Sequence, residues 1–182
     1  MNQSDDVLKI NKNRKISIRQ MELDDLAPVF HLGEALFTAR KVPNLYRTWD
    51  EYELIELFHA HSELCLVAES DGKILGFALG TVIEKDHSAW KYGYLVWFGV
   101  DAQSQRTGVG VRLFQHLRDR LVKQKVRMLM VDTEANNLDA LHFFRKLGFG
   151  KPEEHIYLSL NLAAQKRDKT LKGTTRPGEN GR

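Results

Sequence analysis

The chain has 182 residues, 42% hydrophobic and 28% charged, a balance that suits one folded domain with a full core and excludes a fibrous or low-complexity chain. The net charge of +3 sits at the ends: residues 163–182 set six basic side chains (Lys166, Arg167, Lys169, Lys172, Arg176, Arg182) against Asp168 and Glu179, and residues 1–15 are also net basic. The body is therefore mildly acidic, which argues against a nucleic-acid groove and favours approach of a cationic amine.

The single Cys65 lies in the apolar run Leu64-Cys65-Leu66-Val67-Ala68, so no disulfide framework exists and a buried, inert thiol is expected. No apolar run reaches the roughly 18 residues of a membrane span, and the N-terminus lacks a signal-peptide core. The expectation is a soluble cytoplasmic protein without membrane contact.

Residues 1–14 read as a polar flexible arm. Lys15 to Arg19 alternates and starts a first strand. Asp24 and Asp25 precede Leu26, Val29, Phe30, Leu32, Leu36 and Phe37, an N-capped amphipathic helix to about Arg40, which Lys41-Val42-Pro43-Asn44 ends. Thr48-Trp49-Asp50-Glu51 reads as a capping box opening a second helix. Leu64 to Glu69 and Lys73 to Val82 flank Asp71-Gly72, a hairpin turn signal, with Gly76 and Gly80 admitting a close neighbour. A polar connection holding His87 leads to a strand from Tyr92 to Val100.

The next helix repeats apolar residues at Leu113, Phe114, Leu117 and Leu121. Val126 to Thr133 reads as a parallel strand reached by that crossover. A helix then runs from Asn136 or Asn137, good N-caps, to Gly148, a natural C-terminal stop. His155 to Leu160 makes a last strand, and residues 163–182, with Gly, Pro and charge, read as a disordered basic tail. The folded domain is thus expected over residues 15–162.

Between the strand ending at Val100 and its helix lies Gln105-Arg106-Thr107-Gly108-Val109-Gly110. A glycine-bearing turn opening a helix points unpaired N–H groups and the positive end of the helix dipole at one place, a seat for phosphate. No Lys follows Gly110 and Leu113 stands where a dinucleotide fingerprint needs a small residue, so neither nucleotide motif fits. The run does match [QR]-x-x-G-x-[GA]. Further on, Asn137 to Phe149 matches N-x-x-A-x-x-F-Y-x-x-x-G-F apart from Phe144 at the Tyr position.

Two such motifs in this order resemble the GNAT superfamily of acetyl-CoA-dependent N-acetyltransferases, and in particular ribosomal-protein N-terminal-alanine acetyltransferases. The resemblance implies an α/β (α+β) mixed sheet in the order β-α-α-β-β-β-α-β-α-β, its fourth and fifth strands splayed at the cofactor. It also implies acetyl-CoA as cosubstrate, no metal, and transfer to a primary amine of a protein or small molecule. A homodimer is left open.

On that resemblance, the amides from Arg106 to Val111, with Gln105, Thr107, Gly108, Val109 and Gly110 shaping the turn, would hold the pyrophosphate. The edge at Phe98 and Val100 would pair with the pantetheine, the Val100 N–H steadying the oxyanion and Gly99 marking a bulge. Asn137 would bond the pantetheine or simply cap its helix. Asp132 would take the amine's proton, with Glu134 as alternate. Phe144, in the cofactor-binding set, has no proton for the leaving thiolate; Tyr157, Tyr94 or water could supply one.

Of the aromatic set Phe37, Tyr46, Trp49 and Trp97, core packing is the commoner role and lining of an acceptor pocket the other. A catalytically inactive CoA-binding regulator is the alternative that Phe144 suggests. An RNA or ribosome adaptor would rest on the tail alone.

Overall fold

In a computed structural model of the chain, the residues described are 16–37, 48–84, 90–153, 156, 158 and 160. Nine elements follow one another: β1 (Ser17–Gln20), α1 (Leu26–Leu36), α2 (Glu51–His61), β2 (Cys65–Ser70), β3 (Lys73–Glu84), β4 (Lys91–Val100), α3 (Val109–Lys123), β5 (Met128–Met130) and α4 (Leu138–Lys146). The five strands form one sheet in the order β1-β2-β3-β4-β5, antiparallel except for the β4–β5 pair. Asp71 and Gly72, at φ 52° and 74°, make the tight turn joining β2 to β3.

The sheet is buried on both faces because its strands carry apolar side chains on both sides. Leu66, Ala68, Ala78 and Leu95 meet Leu113, Leu117 and Leu121 of α3 and Phe144 of α4. On the other face Val67, Phe77, Leu79 and Trp97 meet Val29 of α1, Leu54 of α2 and Trp49, which precedes α2. The predicted stripe of α3 is thus its buried stripe. Gly80 admits it closely, since a Cβ there would lie 3.1 Å from Leu117 Cδ1. Cys65 is fully buried and its thiol is pushed up to about 12 by burial, so it is inert.

Several boundaries differ from the sequence reading. Asp50, not Thr48, caps α2, its Oδ1 accepting from Glu53 N at 2.8 Å. Both side chains carry a suitable oxygen, and the chain enters the helix two residues later. β5 pairs over three residues rather than eight, because β4, which runs on to Val100, keeps it as a neighbour only from Tyr92 to Tyr94. Asn137 does cap α4, accepting from Ala140 N at 3.1 Å, and Gly148 closes it at φ 99°.

The described residues up to Lys151 form one compact unit. Beyond it Ile156, Leu158 and Leu160 are exposed and lie in no strand, so the expected last strand is absent among the described residues. The arm, the loop with Tyr46, the connection with His87, Tyr157 and the tail lie outside the described residues. No described helix is long and apolar enough to cross a membrane.

Lys125, just past the Gln124 cap of α3, is in the left-handed region, φ 63°, where a side chain is disfavoured by about 1 kcal/mol. Lys125→Gly is expected to raise Tm by about 2–4 °C in a calorimetric scan.

Asp25 is 7% exposed and receives both Arg19 guanidinium nitrogens, at 2.5 and 2.8 Å, while Arg19 Nε reaches Glu69 at 2.7 Å. The hydrogen-bonded Arg19 holds the Asp25 carboxyl below the usual carboxylate range, against burial, which pushes it up. A lowered folded value means the stabilisation is full above the unfolded pKa near 3.9 and is lost as pH falls through the folded one. Thermal scans from pH 6 to 2 are expected to show a falling Tm that Asp25→Asn flattens. At neutral pH this variant starts about 2 kcal/mol lower, discounted because Arg19 is partly solvated.

Candidate active site

The parallel pair β4–β5 runs through Tyr92–Met128, Gly93–Leu129 and Tyr94–Met130 and then stops, while β4 continues beside β3 to Val100. Among the described residues, β4 therefore has no strand partner on that edge over its second half. What that edge presents is decided by an irregularity one step earlier. Leu79 faces Trp97 but Gly80 faces Leu95, so Val96 is an extra residue in β4.

The extra residue reverses the alternation. Before it, Gly93 and Leu95 face α3; after it, Trp97 and Gly99 face α1, and Phe98 and Val100 take the α3–α4 side. Backbone direction reverses as well. At the near end Lys91 O accepts from Arg127 N, on the β5 side, whereas past the bulge Asp101 N donates to Leu75 O, on the β3 side. By alternation, Phe98 and Val100 then turn their amides to the open side. Gln105 Nε2 reaches Val100 O at 3.4 Å, in keeping with that direction.

The bulge thus sits at Val96 and not at the expected Gly99. Gly99 pairs regularly with Phe77, and a Cβ there would lie 2.6 Å from Leu36 Cδ1, so close packing of α1 is what requires glycine.

Past Val100 the chain makes a tight turn through Ala102–Ser104, closed by Ser104 N to Asp101 O at 2.8 Å and by Thr107 Oγ1 to Ser104 O at 2.6 Å. Arg106 (φ 62°) and Gly108 (φ 90°) both take left-handed conformations. The first helical bond of α3 is Arg112 N to Gly108 O at 3.1 Å, so the N–H groups of Gly108 to Val111 have no partner within the helix. Left-handed residues just before a helix start form the amide concavity that holds phosphate.

The two motif glycines serve different ends. Nothing lies within 4 Å of a Cβ at Gly108, whose requirement is its φ, whereas a Cβ at Gly110 would lie 3.2 Å from the Phe143 ring and 3.5 Å from Phe98. Gly108→Ala is expected to raise KM for acetyl-CoA about tenfold and, through about 1–2 kcal/mol of backbone strain, to lower Tm by about 2–8 °C.

At the point where the strands part, the Tyr94 hydroxyl donates to Asp132 Oδ1. The two are 38 residues apart in sequence. Register brings them together: Tyr94 is opposite Met130, and Asp132 lies two residues beyond on the same face. Glu134 gives its carbonyl to Asn137 N at 2.9 Å. The cap on α4 occupies Asn137 Oδ1 and leaves the side chain's two donors uncommitted to it.

Phe144, 8% exposed, packs against Phe98, Phe143 and Phe149 in the core. Phe37, Trp49 and Trp97 are likewise clustered rings of the α1–α2 face rather than a free pocket wall. The sequence reading missed Phe143, whose ring lies against Gly110 at the start of α3. Its only sequence signal was a place in the second motif. Among the described residues no group of three His, Cys, Asp or Glu side chains could hold a metal ion. The site offers amide donors and an accepting carboxylate, a set suited to a phosphorylated thioester and an amine.

Comparison with known proteins agrees with this geometry. The acetyltransferase (GNAT) family matches residues 32–149. The [ribosomal protein bS18]-alanine N-acetyltransferase of Escherichia coli K12 is 31% identical over 135 residues, 74% of this chain and 81% of that protein. N-alpha-acetyltransferase 30 of Dictyostelium discoideum is 24% identical over 145 residues, 76% of each chain. Among solved structures, an aminoglycoside N-acetyltransferase, AAC(6')-Iy, in complex with CoA superposes with a TM-score of 0.66 at 19% identity, over 82% of this chain and 97% of that one. Arabidopsis thaliana Naa50 with a bisubstrate analogue gives 0.62 at 24%, over 76% and 85%. The splayed strands, the glycine turn opening α3 and these matches together place the chain in the GNAT family, as an acetyl-CoA-dependent N-acetyltransferase.

Proposed function

We propose that the acceptor is the α-amine of a peptide or protein N-terminus and that Asp132, oriented by the Tyr94 hydroxyl, takes its proton. The observation that carries this is the Tyr94–Asp132 hydrogen bond at the mouth of the splay. An α-ammonium has a pKa near 7.7–8.0 against about 10.4 for a lysine side chain, so a single carboxylate has far less work to do with the former. The resemblance to an alanine N-acetyltransferase points the same way.

In this reading the amides of Gly108 to Val111, with the Arg106 guanidinium beside them, bind the pyrophosphate. The outward amides of Phe98 and Val100 line the pantetheine and receive the charge that builds on the thioester oxygen. Asp132 accepts the proton as the amine nitrogen bonds to the carbonyl carbon and the carbon–sulfur bond breaks. A thiol pKa near 8.5 lets the sulfur depart as thiolate, so the missing hydroxyl at Phe144 does not stop turnover. Glu134 is the alternate base, and Tyr157 or Tyr94 would return a proton to the thiolate.

The non-catalytic reading drew on Phe144 alone. That ring sits in the core, which deprives the substitution of its weight. Thiol release would be followed with acetyl-CoA and three acceptors: short peptides with free N-termini, the same peptides N-terminally blocked but carrying lysine, and an aminoglycoside. Turnover of the first set alone is expected. Turnover confined to either of the others would overturn the assignment.

A further inference from the structure

We propose that Phe143 is a positioning residue for acetyl transfer, a rigid spacer whose ring sets the distance between the amides that open α3 and the edge of β4. This rests on the reading above in which those amides hold the pyrophosphate and that edge the thioester.

Three elements meet at this one side chain. It comes from α4, and its ring centroid lies 5.4 Å from that of Phe98 on β4, the two planes inclined at 30°. The same ring lies against the first turn of α3: a Cβ built on Gly110 would stand 3.2 Å from Phe143 Cζ and 3.3 Å from its Cε2, with Phe98 Cζ at 3.5 Å. The Gly110 backbone thus fills a corner between two rings. Its N–H is among those without a partner inside α3, and Phe98 is one of the two β4 residues whose amides turn away from β3. The ring therefore abuts one residue of each seat.

The spacer is stiff and backed. Phe144, next in sequence and 8% exposed, has its ring 5.3 Å from Phe143, 6.1 Å from Phe98 and 5.4 Å from Phe149. α4 is held at one end by the Asn137 cap and at the other by Gly148. A ring has no internal freedom to yield, and a close-packed interior passes a displacement on rather than absorbing it. Helix propensity alone favours alanine over glycine by up to about 1 kcal/mol, so the close approach of the rings is what calls for Gly110.

A fixed number of bonds separates the pyrophosphate of acetyl-CoA from its thioester. Hold on one end assists reaction at the other only when the two seats stand at the matching distance. Binding energy from the remote end is then spent on orienting the reacting carbonyl, and a truncated cosubstrate loses kcat as well as affinity. Without the spacer each seat survives, but the two are no longer kept to one length.

The test uses the full chain, acetyl-CoA, and S-acetylpantetheine, which keeps the thioester and the amide arm but lacks the pyrophosphate and nucleotide. The acceptor is whichever of the three above turns over. Phe143→Ala is expected to lower kcat for acetyl-CoA about tenfold, while kcat/KM for S-acetylpantetheine and the Kd of CoA in titration calorimetry stay within about threefold of wild type. Gly110→Ala adds a methyl group at the contact and Phe143→Leu removes ring volume from it. Each alone is expected to lower kcat for acetyl-CoA by about three- to tenfold, and the two together to restore it to within about twofold of wild type.

An equal loss with both cosubstrates would mean that the ring only supports β4, and a weaker Kd for CoA at unchanged kcat that it only shapes the turn before α3. Either overturns the inference, as do losses that add in the double variant. Should Phe143→Ala fail to fold, the Gly110→Ala and Phe143→Leu pair decides by the same readings. Wild-type protein that binds pantetheine as tightly as CoA would remove the pyrophosphate seat itself, and this inference with it.

Discussion

Asp132→Asn is expected to lower kcat about 10²–10³-fold at pH 7, the range lost when a positioned general base is removed. Asparagine is nearly isosteric and its oxygen can still accept from the Tyr94 hydroxyl, so the local structure survives while the proton acceptor does not. The pH dependence separates this role from a merely structural one. About a tenth of an α-amine of pKa near 8 is neutral at pH 7 and about nine tenths at pH 9, so the enzyme's need for a base falls as pH rises. The deficit of the Asn variant is therefore expected to shrink toward pH 9. Tyr94→Phe, which keeps the carboxylate and removes only its orienting hydroxyl, should lose less and show no such recovery. A deficit constant from pH 7 to 9 would mean that Asp132 organises the splay rather than moving a proton.

Features that could be read from the sequence are those written within one element. The three-and-four spacing of Leu113, Phe114, Leu117 and Leu121 fixes the buried side of α3, Asp71-Gly72 fixes the hairpin, and Asn137 and Gly148 bound α4. The turn before α3 was legible because its conformation is local, a glycine at φ 90° just before a helix start.

What was not legible is set by register between distant segments. Nothing in Leu95-Val96-Trp97-Phe98 marks Val96 as the extra residue, since any β-favouring side chain suits a bulge and only the pairing with Leu79 and Gly80 places it there. Yet that residue decides which amides of β4 face the opening. Gly99 drew attention as a glycine, but its reason is Leu36 from a helix more than sixty residues earlier. The same holds for Tyr94 and Asp132, each identified alone as a candidate and joined only by the short parallel ladder.

Gly33→Ala is expected to destabilise the protein by about 3 kcal/mol, opposite in sign to the gain of about 1 kcal/mol that helix propensity alone promises for Gly→Ala in a helix interior. Gly33 is buried within α1, and a Cβ there would overlap the Cε2–Cζ2 edge of the Trp49 indole. A flexible neighbour would move aside, but Trp49 is fixed. Its Nε1 donates to Phe30 O at 3.0 Å, and its rings pack on Phe77, Trp97 and Phe37 at centroid distances of 5.3, 5.1 and 5.5 Å. Relief thus requires α1 to lift from the sheet or the indole to leave the core, and losing a buried Trp costs about 3–5 kcal/mol. At about 2–4 °C per kcal/mol for a chain of this size, Tm should fall by roughly 10 °C. The effect belongs to the pair, so in a Trp49→Leu background Gly33→Ala is expected to become neutral or stabilising, a coupling visible in a double-mutant cycle. Since Leu36 on the next turn of α1 is what lies over Gly99 of β4, lifting α1 should also raise KM for acetyl-CoA in the single variant and not in the double. A Gly33→Ala protein with a higher Tm than wild type would show that Trp49 does not sit against α1, and the covering of β4 by that helix would fall with it.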